Sequence, residues 1–198
     1  MLGTWPRSPF GAFADVMVER ADGHRVLLAP DPEVASFVAG TYRFDEVRQV
    51  PVTVRRPPHA TPGDPSGRWR VSAGPLRAEF TVGGRTALGR LLRRQPPGIS
   101  LSRAWALAVG PVARLVLPGV RTLGTAGGGR REWYAARDEH RITAARAWWD
   151  GADLGNLRPV SPPPAFGFSS TPARPSLVRV VSTVEIGADR GAGREPAS

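Results

Sequence analysis

The first third of the chain contains two short runs in which apolar and polar residues alternate. Residues Phe13 to Glu19 read F-A-D-V-M-V-E, and residues Arg25 to Ala29 read R-V-L-L-A. A period of two is typical of a strand with one face on the core. The dipeptide Asp22-Gly23 lies between the runs, and it is common in the tight turns that join antiparallel strands. The pattern therefore predicts a β-hairpin here.

A short helix is predicted directly after the hairpin. Asp31 can cap its N-terminus, Pro32 suits its first turn, and Gly40 can end it. Its apolar positions recur at helical spacing and would form one buried face, consisting of Val34, Phe37 and Val38.

Strand-like runs dominate the rest of the chain. The segment from Tyr42 to Arg55 predicts one long strand or two strands broken near Pro51. Two more runs flank Gly74-Pro75. The remaining predicted elements are helices at Thr86 to Arg94 and Ser100 to Leu117, and strands at Val120 to Leu123, Arg130 to Arg137, Arg141 to Trp149 and Leu177 to Ile186. The predicted class is α+β, a predominantly antiparallel β-sheet closed into a barrel or cone with two or three inserted helices.

The 198 residues are enough for one domain with a substantial core. We predict a single domain over residues 1–186 and a disordered tail over 187–198. The longest apolar stretch, Leu101 to Leu117, is interrupted by arginine, glycine and proline and is shorter than the ~20 residues that span a bilayer. The N-terminus shows no basic-then-apolar leader. These features predict a soluble cytoplasmic protein without membrane contact.

All 27 basic residues are arginine, and neither lysine nor cysteine occurs. Without lysine the chain has no side-chain amine for Schiff-base chemistry. Guanidinium groups bind carboxylates and phosphates well but are poor proton shuttles. The charge is concentrated in residues 55–149, where 17 arginines stand against five acidic residues. A small anionic ligand is therefore the expected partner.

A family resemblance appears in three segments. Trp5 to Phe10, W-P-R-S-P-F, followed by the run F-A-D-V-M-V-E, resembles the opening of acetoacetate-decarboxylase-like proteins. The sequence E-W-Y-A-A-R from Glu132, a turn, and a strand ending in A-W-W resemble the closing hairpin of an uncharacterised branch of that superfamily. The strand from Ser176 to Glu185 fits the same pattern. The resemblance implies an antiparallel barrel with an internal cavity. The decarboxylases of the family use a lysine imine, and this chain has no Schiff-base lysine.

The densest group of candidate site residues follows a run of glycines. Gly128 and Gly129 can direct backbone N–H groups toward an anion, and Arg130 and Arg131 add positive charge beside them. The alternative is a flexible glycine turn with solvated arginines. The glycine spacing is not that of a dinucleotide-binding fingerprint.

Two residues of the following strand are candidates for catalysis. Glu132 could act as a general base and Tyr134 as an acid or oxyanion donor, since both lie on one face with Arg130. If that face points outward, they form an ordinary polar surface instead. A slip of one residue in the register would exchange the two faces.

Neither a metal nor a cofactor is predicted. The three histidines, His24, His59 and His140, fall in predicted turns or loops and lack metal-ligand spacing. No nucleophile elbow of the form G-x-S-x-G occurs. A homo-oligomer is compatible with the sequence.

Three functions remain compatible with these observations. The first is a non-imine lyase, isomerase or hydratase acting on a small anionic or carbonyl-bearing molecule. The second is a protein that binds such a molecule without catalysis. The third is a basic nucleic-acid-binding protein, which the absence of a recognisable DNA- or RNA-binding motif disfavours. The positions of the arginines in residues 55–149 distinguish these functions. A nucleic-acid-binding protein requires these arginines on one exposed stripe, whereas the first two functions require several of them to point into a cavity.

Overall fold

The computed structural model describes residues 1–95, 123–125, 131–164, 166–167 and 171–185, with the backbone alone at 123–125, 131–134 and 182–185. These residues form a mixed α+β fold of two helices and two sheets. The predicted helix at Ser100 to Leu117 and the predicted tail at 187–198 lie outside the described residues.

The smaller sheet has four strands in the order β1-β2-β3-β4. They are β1 Leu2–Trp5, β2 Phe13–Glu19, β3 Arg25–Ala29 and β4 Glu46–Gln49. The predicted hairpin is confirmed, because β2 and β3 pair antiparallel and Gly23 has a φ of 83° in the turn between them. Strand β4 pairs with β3 in parallel, and the chain crosses between these two strands through a helix.

That crossover helix, α1 Pro32–Ala39, agrees with the prediction from the capping residues. The Asp31 carboxylate accepts a 2.9 Å hydrogen bond from the backbone N–H of Val34, which has no partner within the helix. Pro32 occupies the first turn, and Gly40 is the C-cap. Such an N-cap is worth about 1 kcal/mol of stability.

The larger sheet contains seven strands. They are β5 Val52–Arg55, β6 Gly67–Ala73, β7 Leu76–Arg85, β8 Leu123–Thr125, β9 Arg131–Trp149, β10 Ala152–Asn156 and β11 Ser176–Glu185. Five lie in the order β10-β9-β7-β6-β5, and β8 and β11 both pair with β9. The second helix, α2 Ala87–Arg93, follows β7 and begins at the N-cap Thr86.

The two sheets pack face to face, and α1 covers the far side of the smaller one. Alternate residues of β2 and β3 point to opposite sides. Those facing the larger sheet, Val16, Val26 and Leu28, pack with Val71, Ala73 and Leu76. Those facing the helix are Met17, Leu27 and Ala29, which pack with Val34, Ala35, Val38 and Phe166. Because β3 is covered on both faces, four of its five residues are buried.

The predicted barrel or cone is wrong, because neither sheet formed by the described residues closes on itself. Strand β4 ends at Gln49 in one sheet, and β5 begins at Val52 in the other. Pro51 lies between them and has no N–H to donate to a ladder, so the chain changes sheets here. The apolar residues of β3 point to both faces of the smaller sheet, so both faces must be buried. The larger sheet on one side and α1 on the other bury them.

A second correction concerns β9. The sequence predicts two strands around a turn at Asp138 to His140, but one strand of 19 residues runs through this segment. All three of these residues are buried in the strand, so the prediction that His140 lies in a turn is also wrong. Their polar groups bond to β7 and to the start of α2.

Candidate functional site

The residues singled out by sequence are only partly described. Arg131, Glu132 and Tyr134 lie on β9, where the backbone of Glu132 is between Gly124 of β8 and Val184 of β11. The structure does not describe the side chains of these three residues. Gly128, Gly129 and Arg130 lie entirely outside the described residues. The catalytic and anion-binding roles assigned to these six residues therefore stay predictions.

The outer surface of the larger sheet, which faces away from the smaller sheet, carries a group of exposed arginines. In β6 the inward residues are buried, while the alternate outward residues are exposed, and Arg68 and Arg70 are among the latter. We call this group the arginine face, and its members are Arg55, Arg68, Arg70, Arg77 and Arg146.

Strand pairing aligns these side chains in cross-strand rows. One row contains Arg55, Arg70, Glu79 and Arg146 on four successive strands. The adjacent row contains Thr53, Ser72, Arg77 and Trp148. Neighbouring strands are about 4.8 Å apart and successive outward residues of a strand about 6.7 Å apart, so the guanidinium groups form a two-dimensional array.

Acidic residues neutralise part of this array. Glu79 accepts a 3.1 Å hydrogen bond from Arg70 Nε and lies 3.9 Å from Arg68 Nη1. Asp153 of β10 lies 3.5 Å from Arg146 Nη2. Five arginines against these two carboxylates and that of Asp150, which is exposed at the end of β9, leave a net charge of +2 on the face. Within the described part of the chain, Arg55 and Arg77 have no salt-bridge partner.

A groove of about 1080 Å³ runs over this face. Its polar and aromatic lining consists of three arginines, two hydroxyl side chains, one tryptophan and two carboxylates: Arg55, Arg70, Arg77, Thr53, Ser72, Trp148, Glu79 and Asp150. The Trp148 ring is half-buried, and the Arg146 guanidinium carbon lies 5.8 Å from the ring centre. The groove thus combines three positively charged hydrogen-bond donors, two hydroxyl groups, one aromatic surface and two carboxylates.

A second polar cluster lies at the junction of β7, β9 and α2. The Arg85 guanidinium donates to both carboxylate oxygens of Asp138, at 2.7 and 3.0 Å, and also to the Gly63 carbonyl. The Thr86 hydroxyl donates to the Glu139 carboxylate. His140 Nδ1 lies 3.2 Å from the Gly83 carbonyl, and its Nε2 lies 3.6 Å from Asp138 Oδ2.

Electrostatics in this cluster favour the ionised carboxylate of Asp138. Burial alone opposes its ionisation, but the hydrogen bond and charge of Arg85 outweigh that effect and hold the pKa of Asp138 below its ordinary value. Near it, hydrogen bonds from Ser66 lower the pKa of Asp64. A cleft of about 460 Å³ adjoins the cluster, lined by Asp64, Ser66, Arg85, His140 and three glycines.

The geometry gives this second cluster a structural role. His140 Nδ1 is directed at the Gly83 carbonyl, and Nε2 is buried 3.6 Å from Asp138 Oδ2, without a hydrogen-bond partner among the described residues, so neither nitrogen is exposed to a molecule in the cleft. Arg85 is held by a bidentate ion pair, and Asp64 and Asp138 balance its charge. The cleft therefore has little attraction for an anion, in contrast to the arginine face.

The described residues place two further limits on the site. None of their helices is long and apolar enough to cross a membrane. Nor do they contain a group of three or more histidine, cysteine, aspartate or glutamate residues able to hold a metal ion.

Sequence reasoning missed the arginine face although its signal was present. The run R-W-R-V-S-A in β6 alternates charged or polar residues with apolar ones, which assigns Arg68 and Arg70 to the outward side. The alternation within β6 does not show which residues of the other strands lie beside these two arginines. That depends on the cross-strand register, which brings Arg55, Arg77 and Arg146 there.

Comparison of the sequence and structure with protein-family models, with curated proteins and with solved structures finds no match.

Proposed function

We propose that this protein binds a ligand with several negative charges on its arginine face. The observation that carries the proposal is the pair Arg55 and Arg77, two exposed guanidinium groups without a salt bridge to any described residue, within an array of three more arginines. Guanidinium groups donate several hydrogen bonds in one plane, which suits phosphate and carboxylate oxygens.

The surroundings of these two arginines support the same function. Ser72 and Thr53 lie in the row of Arg77 and can donate hydroxyl hydrogen bonds to a bound oxyanion. The excess of positive charge in residues 55–149 would also increase the rate at which an anion encounters this surface.

The proposal places the anion on an open face rather than in the closed cavity that the family resemblance implies. It requires no imine, which is consistent with the absence of lysine. A catalytic role for Glu132 and Tyr134 remains a separate prediction, to be tested by turnover of 2-keto and 3-keto acids.

The test is titration calorimetry with inorganic tripolyphosphate, which carries several charges and no other recognisable group. The variant Arg55→Ala/Arg77→Ala should bind at least about tenfold more weakly, because each charge-assisted hydrogen bond lost weakens binding substantially. The matched control is Arg7→Ala/Arg174→Ala, which removes two exposed arginines from elsewhere. Equal losses in both variants would mean that only net charge matters, and the proposed site would be wrong.

A further inference from the structure

We infer that the anionic ligand of the arginine face is a single-stranded nucleic acid. This inference rests on the proposed function and names the class of ligand. The carrying observation is the position of Trp148, which lies in the same cross-strand row as Arg77, Ser72 and Thr53 and lines the groove with them.

An aromatic ring among the arginines contributes nothing to the binding of a bare anion. Phosphate and carboxylate oxygens gain nothing from an indole surface, whereas an unpaired base can stack on it. Arg146, 5.8 Å from the ring centre, adds a planar cation that can also contact a base or a phosphate. The face therefore offers partners to both components of a nucleotide.

The extent of the face fits a chain rather than one small molecule. Its two complete rows cross four strands, a width of about 14 Å at the usual strand spacing. Charged groups recur along and across the strands, so several successive phosphates can be contacted while a base lies on Trp148. The five arginines of the arginine face share one exposed surface, which suits a nucleic acid, whereas Arg90 and Arg93 are exposed on α2 instead.

The shape favours a single strand over a duplex. Reading a duplex from its major groove requires a protruding helix or β-ribbon, and the described part of this surface is the face of a sheet. Bases of a duplex are also stacked on each other and are not available to Trp148. Sheet faces with aromatic and basic side chains suit unpaired strands, whose bases can be splayed onto them.

The experiment compares five probes: a twelve-nucleotide oligo(dT), the matching oligo(U), a twelve-base-pair duplex, poly-glutamate, and tripolyphosphate. We expect the single strands to bind more tightly than the duplex. Trp148→Leu should weaken oligo(dT) binding about tenfold, a typical loss for one base–aromatic stack, and change tripolyphosphate binding less than twofold. Trp148→Phe keeps an aromatic ring and should retain most of the affinity. Phe10→Leu, which alters an exposed aromatic residue outside the larger sheet, should change neither.

The possible failures are distinguishable. In one outcome, tripolyphosphate binding depends on Arg55 and Arg77, but Trp148→Leu leaves the affinity for the oligonucleotides unchanged. The inference about single strands is then wrong, and the proposed anion-binding function stands. Duplex or poly-glutamate binding as tight as that of the single strands would also overturn the inference. If none of the probes binds, both proposals fail. Should Trp148→Leu not fold, oligo(dT) must quench the fluorescence of the wild-type protein more than that of Trp148→Phe, and equal quenching would contradict the inference.

Discussion

Arg85 and Asp138 are 53 positions apart in the sequence and form a two-point ion pair that connects β7 to β9. The distances are 2.7 Å from Nε to Oδ1 and 3.0 Å from Nη2 to Oδ2. Arg85 also donates to the Gly63 carbonyl, so the same side chain holds the loop before β6. One guanidinium group thus joins three separate parts of the chain.

Replacement of Asp138 by alanine should destabilise the fold, because it leaves the partly buried Arg85 without its carboxylate partner. We expect the melting temperature to fall by roughly 5 °C or more. Thermal unfolding followed by circular dichroism measures the change. The double variant Arg85→Leu/Asp138→Leu should recover part of the loss, since no charge is then left unpaired. A single variant as stable as the wild type would show that the ion pair contributes nothing.

The same pair should make the protein sensitive to acid. The pKa of Asp138 is lower in the folded state than the unfolded value of about 3.9. The folded state therefore holds fewer protons, and the stability from Asp138 is present above the unfolded pKa and is lost as the pH falls through the folded pKa. Denaturation as a function of pH should show this loss below about pH 4 in the wild type and a smaller loss in Asp138→Asn.

Asp15 should have the opposite pH dependence. It is fully buried, one oxygen accepts a 2.8 Å hydrogen bond from Trp5 Nε1, and the other has no partner among the described residues. Burial outweighs that hydrogen bond and raises the pKa of Asp15. The folded state favours the protonated form, so stability decreases as the pH rises from the unfolded pKa to the folded one. Asp15→Asn, which can keep an acceptor for Trp5, should lack this decrease in pH-dependent denaturant unfolding.

Gly89 is required by the contact between α2 and β9. A Cβ at this position would overlap the Glu139 carbonyl oxygen and lie 2.8 Å from the Glu139 nitrogen. Gly89→Ala should cost about 2 kcal/mol of stability, even though alanine favours helices, because backbone atoms must move. Gly84→Ala is the control, since a Cβ there meets nothing within 4 Å. Denaturant unfolding that ranks the two variants equally would contradict the close approach.

Removal of Glu79 should strengthen anion binding. Its carboxylate pairs with Arg70 and lies near Arg68, and it competes with any bound anion for them. We expect Glu79→Gln to increase affinity for tripolyphosphate by about threefold, the range of an exposed ion pair. Glu33→Gln, on the exposed part of α1, changes net charge equally and is the control. The site assignment fails if both variants gain the same affinity.

Local structure in the first 95 residues was largely predictable. Alternation and the Asp22-Gly23 turn predicted the β2–β3 hairpin, and Asp31, Pro32 and Gly40 predicted α1. The break near Pro51 and the hairpin around Gly74-Pro75 are also confirmed. These features depend on neighbours in sequence, which is why composition and spacing are sufficient for them.

The course of β9 was not predictable in this way. Asp138, Glu139 and His140 have the composition of a turn, and their partners, Gly83, Arg85 and Thr86, lie more than 50 residues earlier. A buried strand can hold such residues only when distant groups satisfy them. The arginine face could not be predicted from local sequence either, because its members come from four different strands.

The pairing of β9 has a consequence for the order in which the protein can fold during synthesis. Almost all the described residues of the core between the two sheets precede position 85, so a nascent chain can bury this part of the core before β9 has left the ribosome. Strand β9 then pairs with β7 across a long stretch of sequence, which is a slow step. The arginine row that ends at Arg146, and the indole beside it, are therefore completed late, after the scaffold that carries them has formed.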